Sequence, residues 1–100
     1  MLIVLGSAKL GDGALEQGHA ALDAMITASR AEEGCIEYAY SQDILDPTIL
    51  HIVEKWVDQA ALAVHFETPH MAAFQKTLGE LDLNIIEVSK FQADDGAPLL

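Results

Sequence analysis

The stretch from Val53 to His70, VEKWVDQAALAVHFETPH, contains the change of pattern that decides the fold. It begins in a strand that runs to Val57, and Asp58 then supplies a side-chain oxygen of the kind preferred at a helix N-terminus. Thr68 followed by Pro69 is a second helix start, because proline is favoured at the first helical position. The stretch therefore predicts a strand followed by two short helices or by one broken helix.

A hairpin precedes this stretch. The segments CIEYAYSQD and ILHIVEKWV are both typical of strands, and LDPT between them is typical of a turn, so the two strands are expected to pair antiparallel. A period of two places Glu54 and Trp56 on one face of the second segment and His51 on the other. In the first segment it separates Cys35 from a face that carries Ile36, Tyr38 and Tyr40.

The remaining segments complete the order of elements. Residues 1–9 predict a strand, and apolar residues at three- and four-residue spacing after Gly13 predict a helix of about five turns, with Gly34 as its C-terminal cap. The segment NIIEVSKF predicts a last strand. The order strand, helix, strand, strand, helix, strand predicts an α+β fold, the ferredoxin-like βαββαβ arrangement with a four-stranded antiparallel sheet. We expect one domain over residues 1–92 and a C-terminal tail over residues 93–100.

Composition limits the partners. The hydrophobic content is 51%, and both faces of the third strand are largely apolar, which predicts a homodimer packed sheet against sheet. The net charge of −11 disfavours nucleic acid and anionic membranes as partners. The sequence contains no recognisable signal peptide, no apolar run long enough to span a bilayer and a single cysteine, Cys35, so a cytoplasmic protein with a buried structural thiol is expected.

Several segments together resemble the antibiotic biosynthesis monooxygenase family. They are EEGCIEY before the hairpin, DP in its turn, the Glu-x-Trp of the third strand and ALAVHFETPH after it. Family members form dimeric α/β barrels and include cofactor-free oxygenases of quinols and anthrone-type polyketides, haem-degrading enzymes and proteins that act on signalling metabolites. The haem-degrading branch uses an asparagine on the first strand, and MLIVLGSAKL has none. This departure disfavours haem, and because the sequence also has no Gly-rich phosphate-binding loop and no credible ligand cluster, we expect a monooxygenase without a cofactor or metal.

The resemblance also implies a pocket between sheet and helices, lined by Trp56 and His65. Histidine is suited to remove the proton whose loss lets an electron-rich aromatic compound react with oxygen, and tryptophan is suited to form an aromatic wall. We expect His65 and Trp56 to be catalytic and His65 to border an apolar stripe that includes Leu62 and Phe66. The expected substrate-binding residues are Tyr38, Tyr40, Phe66, His70 and Phe74.

Each assignment has a structural alternative. His65 and His70 can be hydrogen-bonded or surface residues, and Trp56 can be core. Glu54 is expected to bond a backbone amide or to contact a second subunit, because a buried carboxylate needs a partner. On one continuous helix His65 and His70 would lie about 140° apart, which disfavours a metal site.

Three functions remain open on the sequence. The first is a cofactor-independent oxygenase of a small aromatic compound. The second is an isomerase or other proton-transfer enzyme of the same fold, acting on a small metabolite. The third is a non-catalytic dimeric protein that binds a small molecule, which a pocket filled by side chains would favour.

Overall fold

A computed structural model describes residues 1–100. The chain forms four strands and three helices: β1 (Leu2–Leu10), α1 (Ala14–Arg30), β2 (Cys35–Gln42), β3 (Ile49–Trp56), α2 (Gln59–Phe66), α3 (Pro69–Leu78) and β4 (Leu83–Gln92). The strands form one antiparallel sheet in the order β2-β3-β1-β4. The predicted α+β fold with ferredoxin-like topology is confirmed.

Local signals set the ends of the helices. Gly13 precedes α1 with a φ of 73°, a left-handed conformation that is easily adopted only by glycine. The Asp58 side chain accepts a hydrogen bond from the backbone N–H of Ala61, and the Thr68 side chain accepts one from that of Met71. These two caps confirm that the segment after β3 forms two helices rather than one.

Gly34 does not cap α1 as predicted. The helix ends at Arg30, and Gly34 lies in the turn before β2, where its carbonyl accepts a hydrogen bond from the N–H of Val57. A Cβ on Gly34 would collide with the side chain of Ala61 on α2. Close packing of the turn against α2 therefore explains this glycine.

The helices cover one face of the sheet. On β3, the predicted alternation is confirmed, because Leu50, Ile52, Glu54 and Trp56 are all buried while the residues between them are partly exposed. A core of nine buried residues lies between this face and the helices: Leu2, Val4, Leu22, Met25, Tyr38, Trp56, Leu62, Met71 and Phe74.

A bulge in β2 changes the predicted alternation of that strand. Cys35 pairs with Trp56 and Glu37 with Lys55, so Ile36 is the extra residue. Ile36 is exposed, whereas Cys35 packs against the core beside Tyr38. Burial raises the pKa of the Cys35 thiol, with a smaller contribution from nearby carboxylates, which fits a structural thiol.

The other face of the sheet, which we call the open face, has no helix on it. It carries Leu5 and Phe91, both exposed, and the partly exposed Val53 and His51. The edge strand β4 is also exposed on the helix side, where Ile85 and Val88 lie beyond the reach of the helices. No helix combines the length and the apolar character needed to cross a membrane.

Candidate functional site

Trp56 and Glu54 lie next to each other on the covered face of β3. Trp56 is 0% exposed, and its Nε1–H donates a hydrogen bond of 3.0 Å to Glu54 Oε1. The indole of the same strand, rather than the expected backbone amide, is therefore the hydrogen-bond partner of Glu54 within the chain. Burial raises the pKa of the Glu54 carboxyl, and the Trp56 hydrogen bond and the charge of His65 oppose this effect.

His65 lies inside the core rather than at its border. It is 1% exposed, and its ring centroid is 4.6 Å from that of Trp56 and 5.4 Å from that of Tyr38. Phe66, which was predicted to face the core, is 57% exposed. The apolar residues of α2 surround the helix, so their periodicity does not select a buried face, and packing places His65 inward with Leu62. We call Tyr38, Trp56 and His65 the aromatic cluster.

Glu32, in the turn after α1, joins two histidines. Its Oε2 lies 2.6 Å from His65 Nδ1 and 2.9 Å from His70 Nε2. Because an ionised carboxylate only accepts hydrogen bonds, both ring nitrogens must carry hydrogen. A neutral His65 then has its lone pair on Nε2, so Glu32 fixes the tautomer in which that nitrogen can act as a base.

No local pattern in the sequence singles out Glu32 as a site residue. The segment EEG was interpreted only as the end of a helix, and no spacing rule connects Glu32 with His65, 33 residues later. The resemblance to the family included this segment but assigned no role to its carboxylates.

His65 and His70 do not lie on one continuous helix, so the separation of about 140° that disfavoured a metal site does not apply. The chain leaves α2 at Phe66 and starts α3 at Pro69, which brings both imidazoles to one carboxylate. The ligand atoms of Glu32, His65 and His70 lie within 4.8 Å of one another. This set of donors can hold a transition-metal ion.

Tyr38 and Tyr40 project from β2 onto the same covered face. Their hydroxyl oxygens are 3.5 Å apart, and the Tyr40 ring meets Phe74 edge to face at 6.4 Å between centroids. Burial raises the pKa of both phenols, that of Tyr40 to about 12. Both hydroxyls are therefore protonated at neutral pH, and Tyr40 can donate a hydrogen bond to a bound oxygen atom.

Two cavities flank the aromatic cluster. The α1 cavity, about 470 Å³, lies between α1 and the β2–β3 hairpin, and its walls include Leu22, Ile26, Leu50, Tyr40 and Arg30. The α2 cavity, about 570 Å³, is lined by residues that include Glu32, Val64 and Thr68. Neither Trp56 nor His65 lines either of these cavities, so the pocket that the resemblance implied around them is filled by packed side chains.

Arg30 is the only arginine of the chain, and its position is fixed. Its Nε–H donates a hydrogen bond of 2.8 Å to the carbonyl oxygen of Tyr38 at the free edge of β2. The guanidinium forms no ion pair, although it lines the α1 cavity together with Asp23. Its remaining N–H groups can bind an anionic or strongly polar oxygen in this cavity.

The structure therefore brings most of the predicted site residues together. Six of the seven lie on the helix side of the sheet in one connected set: Trp56, His65, Tyr38, Tyr40, His70 and Phe74. Phe66 touches this set only from outside, with its exposed ring 5.6 Å from that of His65. His51 lies on the open face as predicted, where it bonds Asp43 at 2.8 Å.

Comparison with known proteins identifies similar sequences. Residues 1–77 match the family model described as antibiotic biosynthesis monooxygenase. A protein of Synechocystis named as uncharacterized is 33% identical over 73 residues, which cover 73% of this chain and 50% of that protein. "Putative monooxygenase Rv0793" of Mycobacterium tuberculosis is 39% identical over 62 residues, 62% of this chain and 60% of the relative. The aligned part thus spans only half to three fifths of these relatives.

Solved structures share the whole fold. The crystal structure of a protein from Deinococcus radiodurans, titled a putative antibiotic biosynthesis monooxygenase, superimposes with a TM-score of 0.89 over 100% of this chain and 99% of that chain. At 22% identity this similarity concerns the fold alone. The structure of Rv0793 gives a TM-score of 0.82 at 27% identity, over 98% of this chain and 100% of that one.

Proposed function

The chain belongs to the antibiotic biosynthesis monooxygenase family, and on this premise we propose that it is a cofactor-independent monooxygenase. Its substrate is a small electron-rich aromatic compound, a quinol or an anthrone-type polyketide, and its oxidant is molecular oxygen. Two relatives, YcnE of Bacillus subtilis and Rv0793 of Mycobacterium tuberculosis, carry the name "Putative monooxygenase", which supports this class of reaction. The observation that carries the proposal is the buried His65, whose tautomer is fixed by Glu32 beside Trp56.

His65 acts as the general base in this proposal. Glu32 holds the hydrogen on Nδ1, so Nε2 can accept a proton, and the Glu32 carboxylate stabilises the imidazolium that forms. Glu32 is a positioning residue, because it acts through His65. The protein needs to supply little more than a base and a shaped, dry site, because the substrate anion itself gives electrons to oxygen.

The atoms and electrons balance without an external reductant. For an anthrone, the base removes a proton from the ring methylene, and the carbanion reacts with O₂ at that carbon. One oxygen atom remains as the new carbonyl, and the other leaves as water with the two hydrogens of the methylene. The substrate thus supplies both electrons that reduce this second oxygen atom.

The α1 cavity is the proposed substrate site. It offers the apolar side chains of Leu22 and Ile26, the protonated hydroxyl of Tyr40 and the unpaired guanidinium of Arg30. Tyr40 and Arg30 bind the phenolic oxygen of the substrate, whose negative charge grows as the carbon proton is lost. Tyr38, between Tyr40 and His65, must move for the base to reach the substrate.

The test is oxygen uptake with a panel of quinols and anthrones, followed by a comparison of two histidine variants. His65→Gln is expected to lower turnover by about 10²-fold or more, the usual contribution of a positioned general base. His51→Ala is the matched control, because His51 also bonds a carboxylate but lies on the open face. Equal rates for both variants, at matched dimer content, would remove His65 from the mechanism.

The homodimer is part of the proposal. The open face exposes Leu5 and Phe91, and a second copy packed against it would bury these side chains. Val53→Asp places a charge on this face and is expected to shift the protein from dimer to monomer in light scattering at micromolar concentration. A wild-type protein that is monomeric there contradicts the sheet-to-sheet dimer.

The packed aromatic cluster favours a second candidate function, a dimeric protein that binds a small molecule without transforming it. In that case the α1 cavity binds the same aromatic compounds, and Trp56 and His65 serve only as core. Binding of a quinol without oxygen uptake, unchanged in His65→Gln, would favour this alternative over both the oxygenase and an isomerase.

A further inference from the structure

Glu32, His65 and His70 come from three separate parts of the chain and meet at one point. The turn after α1 supplies the carboxylate, α2 supplies His65 Nδ1 and the first turn of α3 supplies His70 Nε2. We propose that these three side chains form a binding site for a divalent transition-metal cation, with Zn²⁺ as the reference ion. The proposed oxidation uses the ion-free state, because an ion on His65 Nδ1 leaves the hydrogen on Nε2, the nitrogen that acts as the base.

The donor atoms select the class of cation. Two imidazole nitrogens and one carboxylate oxygen suit Zn²⁺, Co²⁺ or Ni²⁺, whereas Mg²⁺ and Ca²⁺ prefer sets made of oxygen alone. One ligand atom from each of the three side chains lies within 4.8 Å of the other two. The two nitrogens of a tetrahedral zinc site are about 3.4 Å apart, since each bond is about 2.0–2.1 Å long. This spacing falls within the 4.8 Å limit that the three donor atoms satisfy.

An unsatisfied atom points to the same site. Glu32 Oε1 is buried and has no hydrogen-bond partner, whereas Oε2 accepts from both histidines. A buried carboxylate oxygen without a partner is unfavourable, and native structures rarely leave one. A cation between the carboxylate and the two imidazoles would give Oε1 a partner.

The cation also has a route to the site. Glu32 lines the α2 cavity, and His70 is 22% exposed, so the cluster is open to water on one side although His65 is closed off. Water from this side can complete the coordination, as in zinc sites with three protein ligands.

Binding requires no net change in protonation. The cation takes the lone pairs that appear when His65 carries its hydrogen on Nε2 and His70 carries its hydrogen on Nδ1. Both are neutral imidazole tautomers, so only the positions of the hydrogens differ from the hydrogen-bonded state. The cation replaces the two N–H···O bonds to Glu32.

The chain offers an internal control. His51 lies 2.8 Å from Asp43, a histidine–carboxylate pair like that of His65 and Glu32. That pair has no third ligand nearby and both of its side chains are partly exposed. His51→Ala should therefore leave specific binding unchanged.

The experiment is a titration of the wild-type dialysed chain with Zn²⁺ by calorimetry, and with Co²⁺ by its visible absorption. We expect one ion per chain with a dissociation constant in the micromolar range or tighter, and no competition by Mg²⁺. His70→Ala and Glu32→Gln should each weaken binding by at least about 10²-fold, since loss even of outer-shell partners costs 10- to 100-fold. Saturating Zn²⁺ should also raise the Tm of the wild type but not of His70→Ala.

The proposal is overturned if Zn²⁺ does not bind at about 100 μM, or if His70→Ala binds it as tightly as the wild type does. If His51→Ala loses affinity for Zn²⁺ and His70→Ala retains it, the ion binds at His51 and Asp43 and the proposal is overturned. If Glu32→Gln fails to fold, the affinity of His70→Ala for Zn²⁺ tests the proposal alone. This variant is expected to fold, because His70 is partly exposed and its removal opens no large core cavity. No turnover is measured, so the outcome does not depend on the proposed oxygenase activity.

Discussion

The aromatic cluster and the α1 cavity lie on the same face of the same sheet, yet one is packed solid and the other is open. The cluster surrounds Trp56, which is 0% exposed, while the cavity leaves about 470 Å³ beside Ile26 and Arg30. Tyr38 and Tyr40 connect the two regions through hydroxyls that are 3.5 Å apart. The difference indicates that stability comes mainly from the cluster, whereas the cavity has room to bind a ligand.

The largest effect is expected on stability. Truncating one side chain in the aromatic cluster and one in the wall of the α1 cavity tests whether the cluster contributes more to it. Trp56→Ala should lower the free energy of unfolding by about 3–5 kcal/mol, because it leaves a large hole among packed aromatic rings and removes the hydrogen-bond partner of Glu54. Ile26→Ala, on the wall of the cavity, should cost less than about 2 kcal/mol, since its surroundings are already open. Urea denaturation measures both values, and equal losses would contradict the comparison.

The next effect concerns ligand binding in the α1 cavity. Arg30→Gln should raise the KM for a quinol and lower kcat, with kcat/KM about tenfold lower, because its guanidinium binds the phenolic oxygen of the substrate and binds it more strongly as negative charge grows there. Lys76→Gln removes one cationic charge from α3 and serves as the matched control. Steady-state oxygen uptake measures both parameters, and the same KM in the two variants would remove Arg30 from the binding site.

The smallest effect concerns Glu54, whose buried carboxyl lies beside the aromatic cluster, and it is tested through the pH dependence of stability. The pKa of Glu54 is raised in the folded protein mainly by burial, so the folded state holds its proton more tightly than the unfolded state does. The stability from this group is complete below the ordinary pKa of 4.5 and is lost as pH rises through the folded value.

Glu54→Gln keeps an oxygen acceptor for the Trp56 indole but cannot ionise. The variant should therefore gain stability relative to the wild type between pH 4 and pH 7, as measured by Tm at each pH. A difference that stays constant across this range would show that Glu54 does not titrate differently on folding.

The fold was largely predictable because its signals are local. The alternation of β3, the caps at Asp58 and Thr68 and the left-handed Gly13 each depend on neighbours only a few residues away. The predictions were wrong where a residue distant in sequence determines the local structure. Gly34 makes room for Ala61, and a bulge against β3 moves Ile36 out of the core and leaves Cys35 packed against it.

The candidate site residues were proposed from the family resemblance, but their geometry could not be predicted from the sequence. Family resemblance pointed to Trp56 and His65, and the structure places their rings 4.6 Å apart. The resemblance did not point to Glu32, and it could not show that Phe66 faces outward. Apolar residues occur on every side of α2, so only its packing against β3 decides which side is buried.

The sequence by itself determined the order of strands and helices, the starts of the helices and the face of β3 that is buried, because periodicity and capping act over one or two turns of chain. Only the tertiary structure decided that Glu32, His65 and His70 meet at one carboxylate. This meeting depends on the break between α2 and α3 and on the packing of the turn after α1 against α2. Contacts between residues more than 30 positions apart are set by how the elements pack, and no local pattern encodes them.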